Sequence, residues 1–397
     1  MIADVFREPI YRQLWASGFF VNVARWMDLV TLGWLALQLT GSPFMVGLAA
    51  FARSAPLMVV GPFGGIIADR VPRDRVLLAT QTIGLLTALV LAALFASGAG
   101  SYGALVTLEL VFGALWALDF PARRTALYAI LGAPRVAQAV SLETVSMQFA
   151  KILGPLAAGF CLARLGPGAC FAMIALVYGA GLAVSTGLRG GLGGPGSAVP
   201  ASIVASLRAG LRVAWHRPTV RATLLATIAI NVLFFPYQHM LPVFARDVLL
   251  VGPEVLGALF AADGCGALIG ALAIAARRQV SHRVLFAAAI VTGPVLLVGL
   301  SGSRWLAVCL VLLVAMGAAE SAFATMQSTL VLLGSPEQTR GGVMGILSAC
   351  IGTQPFGTLF IGFLTASVGV SLTFTINALL ALLVIVPLAV LLVRHRG

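Results

Sequence analysis

The chain has little charge and few residues suited to catalysis. Only 10% of its 397 residues are charged, whereas 60% are hydrophobic and the mean hydropathy is +1.04. Soluble proteins carry about 25% charged residues. Lys151 is the sole lysine, and there are only four histidines. A composition so poor in charge excludes a sizeable water-soluble domain.

Motifs of several function classes are also missing. No G-x-x-x-x-G-K-[ST] loop precedes Lys151, which excludes a P-loop ATPase, and the absence of H-E-x-x-H excludes a metalloprotease of that type. The five cysteines are scattered without C-x-x-C spacing, so neither a metal site nor a redox pair is predicted. We therefore expect no enzymatic activity, no metal and no cofactor.

What the chain does contain is a succession of apolar stretches of about 20 residues, the length that crosses a bilayer. Breaks at Gly, Pro and charged residues predict twelve spans in two groups of six. The first apolar stretch is too long for a signal peptide, so we interpret it as an uncleaved span. The predicted spans are 14–38, 44–68, 75–97, 102–122, 139–163, 168–188, 220–245, 254–276, 283–301, 304–332, 341–366 and 370–393.

The two groups resemble each other. Three glycines of the first half recur in the second at a constant offset of 203 residues: Gly154, Gly159 and Gly166 correspond to Gly357, Gly362 and Gly369. A parallel duplication explains this repeat. The predicted fold class is an all-α membrane protein of two pseudo-symmetric six-helix bundles, residues 1–188 and 220–397, joined by a linker at 189–219.

Residues 202–216 of the linker place Leu211 and Trp215 on one face and arginines beside them. The pattern predicts an amphipathic helix on the membrane surface. The alternative is an extension of the seventh span.

The arginines are distributed unequally between the two sides of the predicted bundle. Only Arg164, Arg246 and Arg304 lie in loops on the side opposite the termini, while most of the 25 Arg and Lys residues flank the spans on the termini side. Cytoplasmic loops carry the excess of positive charge. We therefore expect both termini in the cytoplasm of a multi-pass protein of a bacterial inner membrane. The net charge of +12 reflects topology and not nucleic-acid binding.

Several motifs carry a family resemblance. GIIADRVPRDR at 65–75 matches the pattern G-x-x-x-D-R-x-x-R, and LTGSP at 39–43, DFPAR at 119–123 and LPVFARD at 241–247 accompany it. The chain resembles the major facilitator superfamily, in particular its branch of enterobactin-type siderophore exporters and macrolide efflux proteins. The resemblance implies the major facilitator fold and transport of a small molecule, and we expect a monomer.

The chain also departs from that branch at two places. Ala24-Arg25-Trp26 stands where the branch usually has Gly-Asp before the Trp, and Arg340-Gly341-Gly342 stands where it tends to have R-G-R. Arg25 therefore distinguishes the first span of this chain from that of the branch.

The motif loop suits a cytoplasmic gate. Asp69 can meet the positive N-terminal end of the eleventh span near Gly341, while the loop arginines pair with Asp119. The alternative is a solvated loop that only obeys the charge bias. The predicted gate residues are Gly65, Asp69, Arg70, Arg73, Asp119 and Arg123.

Ionisable groups within the spans are functional candidates, because each costs on the order of 3 kcal/mol in a bilayer. The second-half spans offer no central Arg or Lys to Asp263 and Glu320. Burial disfavours the charged form of such carboxyls, which lets them load and unload protons. Glu320 is the first proton-coupling candidate, followed by Asp263, Asp28 and Glu109. The alternative is carboxyls that stay protonated and hydrogen-bonded.

Other polar residues are candidates to line a substrate cavity. Arg25 and Asp28 lie three residues apart, so they can form a structural pair, and Lys151 can be held by Glu109 or Asp28. The predicted cavity residues are Asn22, Arg25, Lys151, Gln148, Asn231, Gln327 and Gln354.

From these residues and the resemblance, we expect a proton-coupled exporter of a small amphipathic molecule such as a drug, macrolide or siderophore. Only the resemblance favours export, so proton-coupled uptake is the alternative. A channel or a scaffold fits duplicated halves with a gate loop less well.

Overall fold

The computed structural model describes residues 5–188, 190, 203–276, 281–336 and 339–394, with the backbone only at 59, 61–70, 128, 133, 134, 136, 137, 203–207 and 209. Within these residues the chain is helical and contains no strand. Eleven of the described helices are long and apolar enough to cross a membrane. A further apolar stretch, Pro43–Met58, is the first part of the helix Pro43–Arg70. The predicted all-α membrane fold is confirmed.

The first half contains six helices that match its predicted spans. They are α1 Pro9–Thr40, α2 Pro43–Arg70, α3 Arg73–Ala96, α4 Tyr102–Gly132, α5 Gln138–Arg164 and α6 Pro167–Ser185. α4 continues well beyond its predicted end at residue 122 because most of the following residues, Arg123 and Arg124 included, are good helix formers. Gly132, with φ 65° and ψ 174°, interrupts the helical backbone between α4 and α5.

The second half contains a short helix followed by six long ones. They are α7 Ile203–His216, α8 Pro218–Asp247, α9 Pro253–Ala276, α10 His282–Gly302, α11 Leu306–Gly334, α12 Arg340–Val368 and α13 Val370–Arg394. Two of them are irregular. α8 contains a π-helical turn at Ile230–Phe234, and α12 consists of Arg340–Ile351 and Gln354–Val368.

The contacts divide the chain into two compact units. Unit 1 comprises Met1–Ala198 with Val251–Ala261, and unit 2 comprises Val199–Leu250 with Ala262–Gly397. One buried cluster of unit 1 contains Leu14, Leu77 and Leu127, and one of unit 2 contains Val220, Val331 and Leu347. The linker boundaries predicted at 189 and 219 stay a prediction.

Repeated glycines play equivalent parts inside each unit. Gly166 precedes α6 with φ 84° and ψ 176°, and Gly369 precedes α13 with φ 82° and ψ 161°. Positive φ angles of this kind strain any residue with a side chain. Gly154 lies against Val23 and Trp26 of α1, while Gly357 lies against Val232 and Pro236 of α8. The repeat therefore conserves both a turn and a helix crossing.

The helix α7 is separated from α8 by Arg217, whose φ of −105° and ψ of 102° are not helical. α7 packs against the beginning of α12, where Gly210 faces the backbone of Gly342. Leu211 and Trp215 are 59% and 69% exposed. The seventh span does not continue into this segment, and α7 presents apolar side chains outward.

Candidate functional site

Arg53 of α2 joins two buried carboxylates in unit 1. Its Nη1 contacts Oδ2 of Asp28 and donates to Oε2 of Glu109 at 2.9 Å, while its Nη2 donates to the carbonyl oxygen of Arg25 at 3.1 Å. Asp28 is 1% exposed and Glu109 is fully buried. A buried charge needs such pairing. Arg53 therefore holds both carboxylates as ion-pair partners.

A close helix crossing places Glu109 beside Arg53. Gly113 follows Glu109 by one turn on α4, and a Cβ at Gly113 would overlap the carbonyl oxygen of Arg53. Small residues allow membrane helices to approach in this way. The ion pair thus depends on the absence of a side chain at Gly113.

The spacing of Arg25 and Asp28 allows a pair within α1, but Asp28 takes its partner from α2. Asp28 is paired with Arg53, and the guanidinium of Arg25 lies over the ring of Trp116, 3.5 Å from its centroid. The reason is that α2 and α4 supply partners that the spacing within α1 cannot reveal. The ammonium of Lys151 lies 5.2 Å from the centroid of Trp26. Both cations therefore contact an aromatic face.

Two of the predicted gate residues bind each other. Arg123 donates to both carboxylate oxygens of Asp119, through Nε at 2.8 Å and Nη2 at 3.1 Å. Its Nη1 donates to the carbonyl oxygen of Leu14 and to Ser17. This network ties α4 to α1. Arg73 begins α3. For the remaining predicted gate residues, Gly65, Asp69 and Arg70, the structure describes only the backbone, which belongs to α2.

The predicted neutral cavity residues fall into two groups. Asn22, Asn231 and Gln327 are buried, and each donates a hydrogen bond: Asn22 to Gly18 at 2.8 Å, Asn231 to the carbonyl oxygen of Thr227 at 2.9 Å, and Gln327 to the Thr227 hydroxyl at 2.7 Å. Gln148 and Gln354 are partly exposed. Only the second group retains the accessibility expected of cavity residues.

In unit 2, one amide connects the two predicted proton-coupling residues. Nε2 of Gln238 donates to Oδ2 of Asp263 at 3.4 Å and to Oε2 of Glu320 at 3.1 Å. The hydroxyl of Tyr237 lies 3.5 Å from Oδ1 of Asp263. Asp263 is fully buried, whereas Glu320 is partly exposed. The structure therefore brings Asp263 and Glu320 together at the amide of Gln238.

Sequence reasoning missed Gln238 as a site residue. It is 7% exposed and follows Pro236, at which the helix α8 resumes after its π-helical turn. A neutral amide in a long apolar stretch gives a weak signal. The proline break two residues earlier was the available indication, because such breaks mark binding sites in transporters.

Glycines also position the carboxylates of unit 2. A Cβ at Gly317 would overlap the carbonyl oxygen of Asp263, and a Cβ at Gly266 would overlap that of Val314. The helices α9 and α11 therefore cross with their backbones in contact. Glu320 lies one turn after Gly317, so this crossing brings its side chain towards Asp263.

The interrupted helices α8 and α12 meet beside this cluster. A Cβ at Gly357 would overlap the carbonyl oxygen of Val232 inside the π-helical turn. Aromatic rings surround the same turn: Phe234 lies 5.2 Å from Tyr237, which lies 6.3 Å from Phe374. Polar groups and helix breaks are thus concentrated within one part of unit 2.

A family model described as transmembrane secretion effector matches residues 3–396. The chain belongs to this family, which is part of the major facilitator superfamily. Proteins of this family are transporters and not enzymes, and the chain is a multi-pass membrane protein.

Two curated relatives show how far the similarity extends. An uncharacterized MFS-type transporter of Sinorhizobium fredii is 28% identical over 62% of this chain and 61% of its own length. The staphyloferrin A transporter of Staphylococcus aureus is 21% identical over 66% of each chain. The chain therefore matches less than two thirds of the length of these relatives.

Solved structures show the same fold over nearly the whole chain. A POT family transporter in complex with 5-aminolevulinic acid has a TM-score of 0.77 at 13% identity, covering 98% of this chain and 96% of that one. The human organic anion transporter MFSD10 has a TM-score of 0.67 at 18% identity, covering 96% and 99%. At these identities the likeness shows the fold alone.

Proposed function

We propose that the chain is a secondary active transporter that exports a small amphipathic molecule by alternating access, driven by protons. The observation that carries this proposal is the bridge from Gln238 to Asp263 and Glu320. Two carboxylates that share one amide donor can gain or lose a proton with a change of hydrogen-bond partner, which is the local event that coupling requires.

The surroundings of the bridge favour this role. In α8 to α13 every Arg lies within the first or last turn of its helix, so the central parts of these helices carry no Arg or Lys in the sequence. From α8 the neutral side chains of Tyr237 and Gln238 contact the carboxyls, and such donors can serve a carboxyl in either protonation state. Glu320 is partly exposed and Asp263 is not. Glu320 is accordingly the group that we assign to proton exchange with solvent.

Helix breaks supply the flexibility that alternating access requires. The π-helical turn of α8 and the interruption of α12 at Gly352 allow bending where regular helices resist it. Both breaks lie in unit 2 with the carboxylates. We propose that protonation of the bridged pair alters the bend of α8 through Gln238.

The direction of transport and the substrate class rest on the relatives. The family description refers to secretion, and one relative is a staphyloferrin A transporter. These favour export of a siderophore or a drug such as a macrolide. Proton-coupled uptake is the alternative, because acidic residues support coupling in either direction.

We propose that both termini lie in the cytoplasm, because the arginines concentrate on that side. The protein would then be a monomer of a bacterial inner membrane. No cofactor takes part, since the ion gradient supplies the energy. Asp69 and Arg70 are proposed to act as a cytoplasmic gate, together with the Asp119 and Arg123 network.

The test is transport into inside-out vesicles with an imposed proton gradient, using a panel of macrolides, dyes and siderophores. Wild type should accumulate at least one compound, and Glu320→Gln should not. Glu254→Gln is the matched control, because Glu254 is an exposed carboxylate 3.6 Å from Arg164 at a helix end. The proposal fails if no compound follows the gradient, or if Glu320→Gln accumulates it as wild type does.

A further inference from the structure

Arg25 has an unusual environment for a cation within a membrane helix. It lies near the middle of α1, and its guanidinium stacks on Trp116 at 3.5 Å from the ring centroid. Its side chain donates no hydrogen bond and forms no ion pair with the described residues, although it is partly exposed. Its hydrogen-bond donors are therefore available to another molecule.

The neighbouring carboxylates cannot neutralise Arg25 in this arrangement. Asp28 and Glu109 both bind Nη1 of Arg53, and Nη2 of Arg53 donates a hydrogen bond to the carbonyl oxygen of Arg25. The next carboxylate along α4, that of Asp119, is bound through both of its oxygens by Arg123. Each of these three carboxylates therefore already has an arginine partner other than Arg25.

An exposed cation at this depth faces water and not lipid, because a charged side chain in hydrocarbon is strongly disfavoured. The guanidinium is planar and matches a carboxylate through two parallel N–H donors. Trp116 covers one face of the guanidinium and fixes its plane. The indole at the same time offers an apolar surface to the rest of a ligand.

We propose that Arg25 and Trp116 form the recognition point for an anionic group, a carboxylate, on the transported molecule. This inference rests on the proposed function, since it narrows the amphipathic substrate to an acid. Arg53 has a positioning role here, because it removes Asp28 and Glu109 from competition for Arg25. The residue Arg25 is also where this sequence departs from the transporters that it otherwise resembles.

The test compares an amphipathic acid with its neutral ester, using pyrenebutyrate and its methyl ester. Binding to the purified full chain in detergent is followed by energy transfer from tryptophan to pyrene. The acid should bind wild type about ten- to a hundredfold more tightly than the ester, as expected for a charge-assisted hydrogen bond. Arg25→Gln should abolish this difference, with ester binding unchanged.

Two further variants complete the experiment. Arg164→Gln removes an arginine whose side chain is 64% exposed, so it should leave the preference for the acid intact. Arg25→Lys keeps the charge and loses the planar fork, so it should reduce the preference about three- to tenfold. This second variant decides the question if Arg25→Gln does not fold.

Three results would overturn the inference: no binding of the acid to wild type, equal binding of acid and ester, or a preference for the acid that survives in Arg25→Gln. A transport assay distinguishes failure of this inference from failure of the proposed function. Selective binding of the acid without gradient-driven transport would support the recognition site and contradict the proton-coupled transporter. Gradient-driven transport of the ester but not of the acid would support the transporter and contradict the recognition site.

Discussion

The two units treat their buried carboxylates in different ways. In unit 1, Asp28 and Glu109 share the cation Arg53. In unit 2, Asp263 and Glu320 share the neutral amide of Gln238. An ion pair fixes a carboxylate in its charged form, whereas a neutral donor can serve either protonation state after a small rearrangement. The first cluster is therefore suited to structure and recognition, and the second to proton exchange.

Breaking the ion cluster should have the largest effect on stability. Arg53→Met leaves two buried carboxylates without their cation, and we expect a loss of about 3–5 kcal/mol. Thermal unfolding of the purified protein in detergent measures it. Arg164→Met removes a pair at 3.6 Å between side chains that are 64% and 52% exposed, so its cost should be about 0–1 kcal/mol. Equal losses in the two variants would contradict a structural role for Arg53.

The crossing of α9 and α11 at Gly317, one turn before Glu320, provides the next test. Gly317→Ala forces a Cβ into the carbonyl oxygen of Asp263, and we expect a loss of about 1–3 kcal/mol from overpacking. Gly299→Ala is the matched control, since its Cβ would only meet the side chain of Leu312 at 3.6 Å. Thermal unfolding should show the loss at Gly317 and none at Gly299. A tolerated Gly317→Ala would mean that α9 and α11 do not cross this closely.

Removing the bridge should affect coupling more than stability. Gln238→Leu deletes the donor to both carboxylates, with an expected cost of about 1–2 kcal/mol and a strong reduction of gradient-driven transport. Gln81→Leu is the control in unit 1, where the amide of Gln81 donates to Ser185 at 2.8 Å. It should cost a similar stability and leave coupling intact. Coupling that survives in Gln238→Leu would show that the amide bridge is dispensable.

The sequence predicted the helices well because apolar length decides them. The end of α4 was misplaced because the charge of Arg123 and Arg124 outweighed the helix-forming residues that continue to Gly132. The buried side chain of Arg123 is held by Asp119, one turn earlier, and by α1. Charge alone therefore did not mark the end of a helix.

The site residues were predicted by type but not by partner. Asp28, Glu109, Asp263 and Glu320 stand out as carboxylates in apolar helices. Their partners depend on helix crossings at Gly113 and at Gly317, which no spacing within one helix reveals. Arg53 on α2 therefore displaced Arg25 as the partner of Asp28, and Gln238 gave almost no signal because it is neutral.

The most direct test of the contrast between the units compares two modes of transport in the same proteoliposomes, using the compound that wild-type vesicles accumulate. Exchange without a gradient requires only substrate binding and alternating access, whereas accumulation also requires proton coupling. Glu320→Gln should retain exchange at nearly the wild-type rate and lose accumulation. Accumulation at the wild-type level in Glu320→Gln would contradict the assignment of proton exchange to unit 2.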